Sequence, residues 1–265
     1  MKRILVPALA GLSALFNVAT AQELASNRAI YDVSLDHTSG GDVVAARGRM
    51  AVEFRDTCNG WSTTQRLIAD MTDSSGLQSR TDFFVSAWES KDGHTMRFDI
   101  SDSRDGKSNR RRGSAVLAAD GTGSAELIAG KPPKFALPIA TQFPTDQTLS
   151  VLRAAMAGRN SFKHIVFQGG DPTDLYFSTA EIGKSADAGM FAADHKADKY
   201  GLLKNIAAWP VLVGFYPLAT KSESPDYEVA THLYANGVNG SMSLIYPRYT
   251  LRAKLSRLEA LARSC

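Results

Sequence analysis

Only two of the 265 residues are cysteine, Cys58 and the terminal Cys265. No Cys-x-x-Cys pair or zinc-finger spacing can be drawn from them. The common catalytic signatures are missing too: no Gly-x-Ser-x-Gly elbow, no His-Glu-x-x-His pair and no Walker-type phosphate loop occurs. The five histidines, His37, His94, His164, His195 and His232, include no two at ligand spacing. His94, beside a hairpin turn, and His195, in a polar stretch, are expected to face solvent. The acidic run Asp99, Asp102 and Asp105 lacks a calcium loop's later acidic ligand and carries Arg104 where a ligand or glycine belongs. Neither metal nor cofactor nor catalytic centre is expected. A glycan hydrolase would need a carboxylate pair, and nothing singles one out.

Charge of one sign is also missing. The chain has 30 basic and 27 acidic residues, a formal charge of +3. Residues 1–21 hold Lys2 and Arg3 and no acid, so the remainder carries about +1, which excludes a general pull toward nucleic acid. The single basic cluster, Arg110-Arg111-Arg112 near Lys107, is flanked by Gly106 and Gly113 and reads as a solvated hairpin edge.

Long apolar runs are absent beyond the N-terminus. There, Lys2 and Arg3 precede the apolar stretch Ile4 to Val18 and the small-x-small site Ala19-Thr20-Ala21. This is the pattern of a cleavable signal peptide over 1–21, with the mature chain starting near Gln22. The stretch falls short of the ~20 apolar residues of a membrane span. No cysteine follows it closely, so a lipid-modified N-terminus is not expected. The protein is expected to be released into the periplasm without a membrane span, as one domain over 22–265.

What the sequence does have is alternation. Met50, Val52 and Phe54 interleave with Arg49, Glu53 and Arg55, the pattern of a half-buried strand. Hairpins are expected between Phe84–Trp88 and Met96–Ile100, between Val116-Leu117 and Leu127-Ile128, and between Val229–Tyr234 and Met242–Tyr246. The last turns on Asn236-Gly237. Tyr249, Leu251, Ala253 and Leu255 form a final strand running toward Cys265. One amphipathic helix, Asp146 to Gly158, interrupts the pattern. Leu149, Leu152, Ala155 and Met156 form its apolar face, Thr145 or Asp146 its N-cap and Gly158 its stop. Ser185 to Tyr200 reads as a solvated loop. Trp209-Pro210 and the apolar run Val211 to Tyr216 read as a strand buried on both faces or facing a cavity.

In an oxidising compartment two lone cysteines favour a bridge, which would close a loop of about 207 residues. A nucleophilic Cys58 thiolate is the other reading of the same residue. Gly60 permits a close backbone approach beside Cys58, and Trp61 either packs over the sulfur or belongs to the core.

In order along the chain come Asp56-Thr57-Cys58-Asn59-Gly60-Trp61, Phe143-Pro144-Thr145, Trp209-Pro210, Pro225-Asp226-Tyr227-Glu228, Asn236-Gly237-Val238 and Cys265. Together these motifs resemble the EipB-type cell-envelope integrity proteins. The resemblance implies an all-β fold, an antiparallel β-spiral that forms an open, barrel-like two-sheet shell with one helix packed against it. It implies a Cys58–Cys265 disulfide, a non-catalytic role in envelope integrity under stress, and a link to a periplasmic tetratricopeptide-repeat protein. If the shell leaves a groove, Trp209, Phe215 and Tyr216 are expected to line it. A shell with a helix at its mouth also suits an alternative role, a periplasmic lipid or lipoprotein carrier.

Overall fold

The computed structural model describes residues 23–40, 42–186, 191–220 and 222–264. The expected signal peptide, 1–21, and Cys265 lie outside the described residues. Strand-forming alternation is realised along most of the chain: β1 (Asn27–Thr38), β2 (Val43–Asp56), β3 (Gly60–Asp73), β4 (Gln78–Ser90), β5 (Thr95–Arg104), β6 (Lys107–Leu117), β7 (Gly123–Ala129) and β8 (Lys134–Leu137) form the first half. After β9 (Thr141–Gln142) and helix α1 (Pro144–Met156) come β10 (Ser161–Phe167), β11 (Leu175–Ile182), α2 (Ala192–Ala197), β12 (Ala208–Pro217), β13 (Tyr227–Tyr234), β14 (Asn239–Tyr246) and β15 (Tyr249–Ala260). The three expected hairpins are β4–β5, β6–β7 and β13–β14.

Among the described residues fifteen strands form one sheet, in the order β8-β7-β6-β5-β4-β3-β2-β1-β15-β14-β13-β12-β11-β10-β9. Within each half, neighbours in sequence are antiparallel neighbours in space; only the short β9 runs parallel to its partner β10. The halves join where β1 pairs with β15, with Val33 opposite Ala253 and Tyr31 opposite Leu255. The sheet's edges, β8 and β9, are separated by three residues of chain, so their adjoining ends lie within about 14 Å of each other. The result is a nearly closed, barrel-like sheet.

Register identifies the inner face. Tyr31 pairs with Met50, Met50 with Leu67 and Leu67 with Phe83. In the other half Ala253 pairs with Met242, Met242 with Thr231 and Thr231 with Val211. These rows carry the core. The opposite face carries solvent-facing ion pairs such as Arg28–Glu53, Arg66–Asp82 and Arg252–Asp36.

The closure is a spiral because the sheet overlaps itself. Phe167 and Leu175, with Ile165, pack against Met96, Phe98, Ile100 and Leu127 from the inner face of the first half. Phe167 meets Phe98 and Phe135 edge-on, with ring centroids 5.6 and 5.8 Å apart. His164 and Val166, alternating with them, face the other way into the shell. The Arg110–Arg112 cluster is divided by the same alternation. Arg110 pairs outside with Asp99. Arg111 turns inward, its side chain 14% exposed, and ties Asp102 at 3.1 Å to Asp174 at 3.4 Å across the overlap. The solvated-edge expectation therefore fails for Arg111.

Helix α1 begins two residues before the expected start. Pro144 occupies its first turn, where a missing N–H leaves nothing unsatisfied, and Phe143 is the N-cap without a side-chain bond. Its C-terminus is a Schellman motif: Gly158, at φ +71°, donates its N–H to Ala155 O and Arg159 donates to Ala154 O. Val151, Leu152, Ala154 and Ala155 are buried and Leu149 partly so, while Met156 is exposed, so the packed face is rotated from the expected one. The 185–200 stretch is also not a solvated loop. Helix α2 lies within it, and Phe191, Asp194 and Ala197 are buried against β15 and Tyr234. Residues 187–190 lie outside the described residues.

Candidate functional site: two unlike ends of one shell

Antiparallel pairing gathers the strand ends into two rims. At one rim stand the start of β1, the β2–β3 and β4–β5 turns and the ends of β11, β13 and β15. Both helices pack there. Trp61, Trp209, Ile182, Val211 and Leu233 enclose α1. Phe191, Ala197 and Leu203 join Ala29, Tyr31, Leu255 and Leu258 in a second cluster around α2.

Two titratable groups face α1 from the wall. Glu89, 3% exposed, accepts from Thr145 N–H and Thr145 Oγ1, both at 2.8 Å, and so takes the capping role at the helix N-terminus. Burial pushes its carboxyl up to about 7, against the pull of the Thr145 hydrogen bonds. His164, 9% exposed and stacked on Phe162, has no hydrogen-bond partner at either nitrogen, and burial pushes it down to about 4. Its cross-strand neighbour Ser178 accepts instead from Gln147 of α1 at 3.1 Å.

Cys58 sits in the β2–β3 turn at φ +66°, a left-handed conformation that favours glycine. Its N–H donates to Asp56 Oδ1 at 2.8 Å. Burial raises the Asp56 carboxyl, but Lys91 at 2.9 Å and the Cys58 amide hold it below the ordinary range overall. Ser264 donates its backbone N–H to Asp56 O at 2.9 Å, bringing the residue before Cys265 to this same turn. No described cysteine is a free thiol. A side chain at Gly60 would stand 2.4 Å from the Trp88 ring, which explains the glycine. Trp61 stacks on Phe54, with centroids 5.4 Å apart, beneath the Lys91 ammonium.

One cluster has the composition of a catalytic triad but not its geometry. Ser241 donates both its N–H, at 3.0 Å, and its hydroxyl, at 2.6 Å, to Asp194. His232 Nδ1 stands 3.6 Å from the same carboxylate while its ring stacks on Phe191. The serine proton is directed at the acid rather than a base, and Ser241 Oγ also accepts from Leu255 N–H. His195, expected in solvent, is half-buried with Nε2 unpartnered; His94 is exposed as expected. Among the described residues no three His, Cys, Asp or Glu side chains form a metal cluster, and no helix is long and apolar enough to cross a membrane.

Among the described residues no α-helix packs at the opposite rim, where a single turn of 3-10 helix, Pro172–Asp174, joins β10 to β11. Here the inner face carries Leu35, Leu67, Met71, Phe83, Val85, Val213, Tyr227, Val229, Leu244, Tyr246 and Tyr249, all half-buried although they point inward. They fringe three separate clusters that do not merge across the middle. Were the space filled, facing apolar side chains would meet in one contiguous core. Aromatic rings run along one wall: Phe215 stacks on Tyr227 at 4.6 Å, and Tyr246 leans on Tyr227 at 6.2 Å and on Tyr249 at 5.0 Å. Burial pushes the Tyr246 hydroxyl up to about 12. The lip is charged. The inner face of the β5–β6 hairpin forms a recess of about 450 Å³ with Asp102, Arg104, Asp105, Lys107, Ser108 and Asn109. Arg104 acts on Tyr249 from a strand that is not its neighbour, lowering a hydroxyl pKa that burial raises.

The three expected groove residues part company. Trp209 is buried against α1 at the closed end, and Phe215 is buried beside the aromatic row. Tyr216 alternates to the outer face, beside Phe177. Leu67, Phe83, Leu244 and Tyr246 were not expected in the lining, although each continues a period-2 inward row.

Comparison with known proteins agrees with the motif order. A family profile described as EipB-like matches residues 18–262. The chain is 27% identical over 256 residues to the cell envelope integrity protein EipB of Brucella abortus, covering 94% of this chain and 89% of that protein. It is also similar to a crystal structure of a β-barrel-like protein of a domain of unknown function from Brucella abortus. The TM-score is 0.80 and the identity 26%, covering 91% of this chain and all of that one.

Proposed function

The chain belongs to the EipB-like family, and from that premise we propose that it supports cell-envelope integrity under stress as a non-catalytic periplasmic protein acting through protein contacts. The observation that carries this reading is likeness to an envelope integrity protein over nearly the whole chain. The Ser241–Asp194–His232 geometry favours a structural over a hydrolytic role. Cys58 and Cys265 form the disulfide: a cysteine held at positive φ carries local strain that a covalent tie would sustain, and Ser264 lies at the same turn. A tetratricopeptide-repeat protein is the partner to test. Deletion should sensitise cells to detergent, and crosslinking in intact cells should capture that partner. Unchanged tolerance together with an empty crosslink defeats the reading.

A second reading, a carrier for lipid or lipoprotein, is favoured by the half-buried apolar lining of the open end. Native mass spectrometry of protein taken from cells should show a co-purifying lipid; a bare mass counts against it.

A further inference from the structure

The hollow end combines three features. Its wall is apolar, with Leu67, Phe83, Val229 and Leu244 pointing inward from four different strands and none of them fully covered. Its base is shut by α1 and the cluster around it. Its lip places Arg104 and Lys107, both exposed, on the inward face of a recess. Of the acids beside them, Asp102 pairs with Arg111 at 3.1 Å and Asp105 accepts from the Arg80 amide at 2.9 Å, and among the described residues neither Arg104 nor Lys107 has an ion-pair partner.

Resting on the carrier reading, we infer that the hollow takes one acyl chain of an anionic amphiphile, its tail against Leu67, Phe83, Val229 and Leu244 and its head group against Arg104 and Lys107. An apolar tail gains from leaving water in proportion to the area it buries, and the closed base stops it after one chain length. An anionic head group suits guanidinium and ammonium donors better than a neutral one. A fatty acid, a lysophospholipid and the acyl group of a lipopeptide share this chemistry.

The test uses the exported protein with dansyl-undecanoate and its neutral methyl ester as fluorescent probes. Both should bind saturably, with the carboxylate the tighter. Leu244→Trp and Val229→Trp, each filling the hollow from a different strand, should weaken both probes by ~10-fold or more with the fold retained by circular dichroism. Arg104→Glu with Lys107→Glu should weaken the carboxylate ~10-fold and leave the ester unchanged. Displacement by palmitate, by lysophosphatidylglycerol or by a diacylated lipopeptide then assigns the source. If the tryptophan variants weaken both probes but charge reversal spares the carboxylate, the head-group assignment falls and the carrier reading stands. If the folded protein binds neither probe, or the tryptophan variants bind as the wild type does, both fall.

Discussion

The closed and open ends of the shell are made by the same strands with the same alternation, yet only one end is core. At the closed end, inward residues such as Val211 and Leu233 meet α1 and are fully buried. At the open end, inward residues two to four positions along the same strands, Val213 and Val229, remain half-buried. A wide sheet cannot fill its own interior with side chains from one wall; it needs a second layer, which the helices supply at one rim only. Stability should therefore concentrate at the helical end, and the open end should tolerate change.

The largest break in that comparison concerns the turn beside Cys58. Cys58→Ser should lower stability by about 4 kcal/mol under oxidising conditions, below the loop-entropy ceiling of about 5 kcal/mol for so long a ring because the denatured chain keeps some structure. Cys265→Ser should match it, and the double variant should add nothing, as for a single bond. Calorimetry with and without reductant measures this; additive losses would separate the two thiols. Cys58→Gly should lose about 1 kcal/mol less than Cys58→Ser, because glycine adopts the left-handed turn without strain.

Next comes a matched pair of leucines. Leu152→Ala in α1, with no exposed surface, should cost about 3 kcal/mol, and Leu244→Ala at the open end about 1 kcal/mol, since a half-open site creates little new cavity. Equal losses in urea titrations would mean that the open end is packed after all.

How much of this was legible in the sequence depends on range. Strands, hairpins and the single long helix follow from local periodicity and turn chemistry, and the structure places them close to where those signals stand. The join of β1 to β15 has no local signature, because Tyr31 and Leu255 find each other only through the fold. Arg111 was read as outward although alternation pointed inward, and Glu89 was passed over. Glu89 follows Val85 and Ala87 on the inner row, and Arg111 precedes Gly113 and Ala115, so the pattern had placed both. The 185–200 stretch was masked by polar composition, although Phe191, Asp194 and Ala197 recur at three-residue spacing on one buried side. The partial exposure of the open end's inward residues was not legible, since inward apolar residues look alike whether or not something covers them.

The closed end should also betray itself in pH dependence. The Glu89 carboxyl is raised from 4.5 to about 7, chiefly by burial. Between those values the folded state holds a proton that the unfolded chain has released, so this group's contribution is complete below pH 4.5 and declines as pH rises through 7. Glu89→Gln keeps an acceptor for Thr145 and should gain on the order of 2 kcal/mol over the wild type at pH 8, with little difference at pH 4. A variant whose gain is the same at both pH values would show that Glu89 is solvated.

His164 works in the opposite sense, with a smaller effect at neutral pH. Its pKa falls from 6.5 to about 4 by burial, so the unfolded chain binds the proton first and stability declines as pH drops from 6.5 through 4. Across the window where both slopes operate, pH 4.5 to 6.5, Glu89 and His164 offset each other, and the Asp174 carboxyl, raised by burial to about 6, tilts the wild type toward a gentle gain on acidification. Replacing His164 by phenylalanine should keep the stack on Phe162 and remove two unpartnered nitrogens, gaining about 1 kcal/mol at pH 7. It should also leave the Glu89 slope uncovered, so that stability rises steadily on acidification. Chemical denaturation at four pH values distinguishes the cases: a His164→Phe profile parallel to the wild type would mean that the imidazole is wet, and the helical end less tightly closed than its packing indicates.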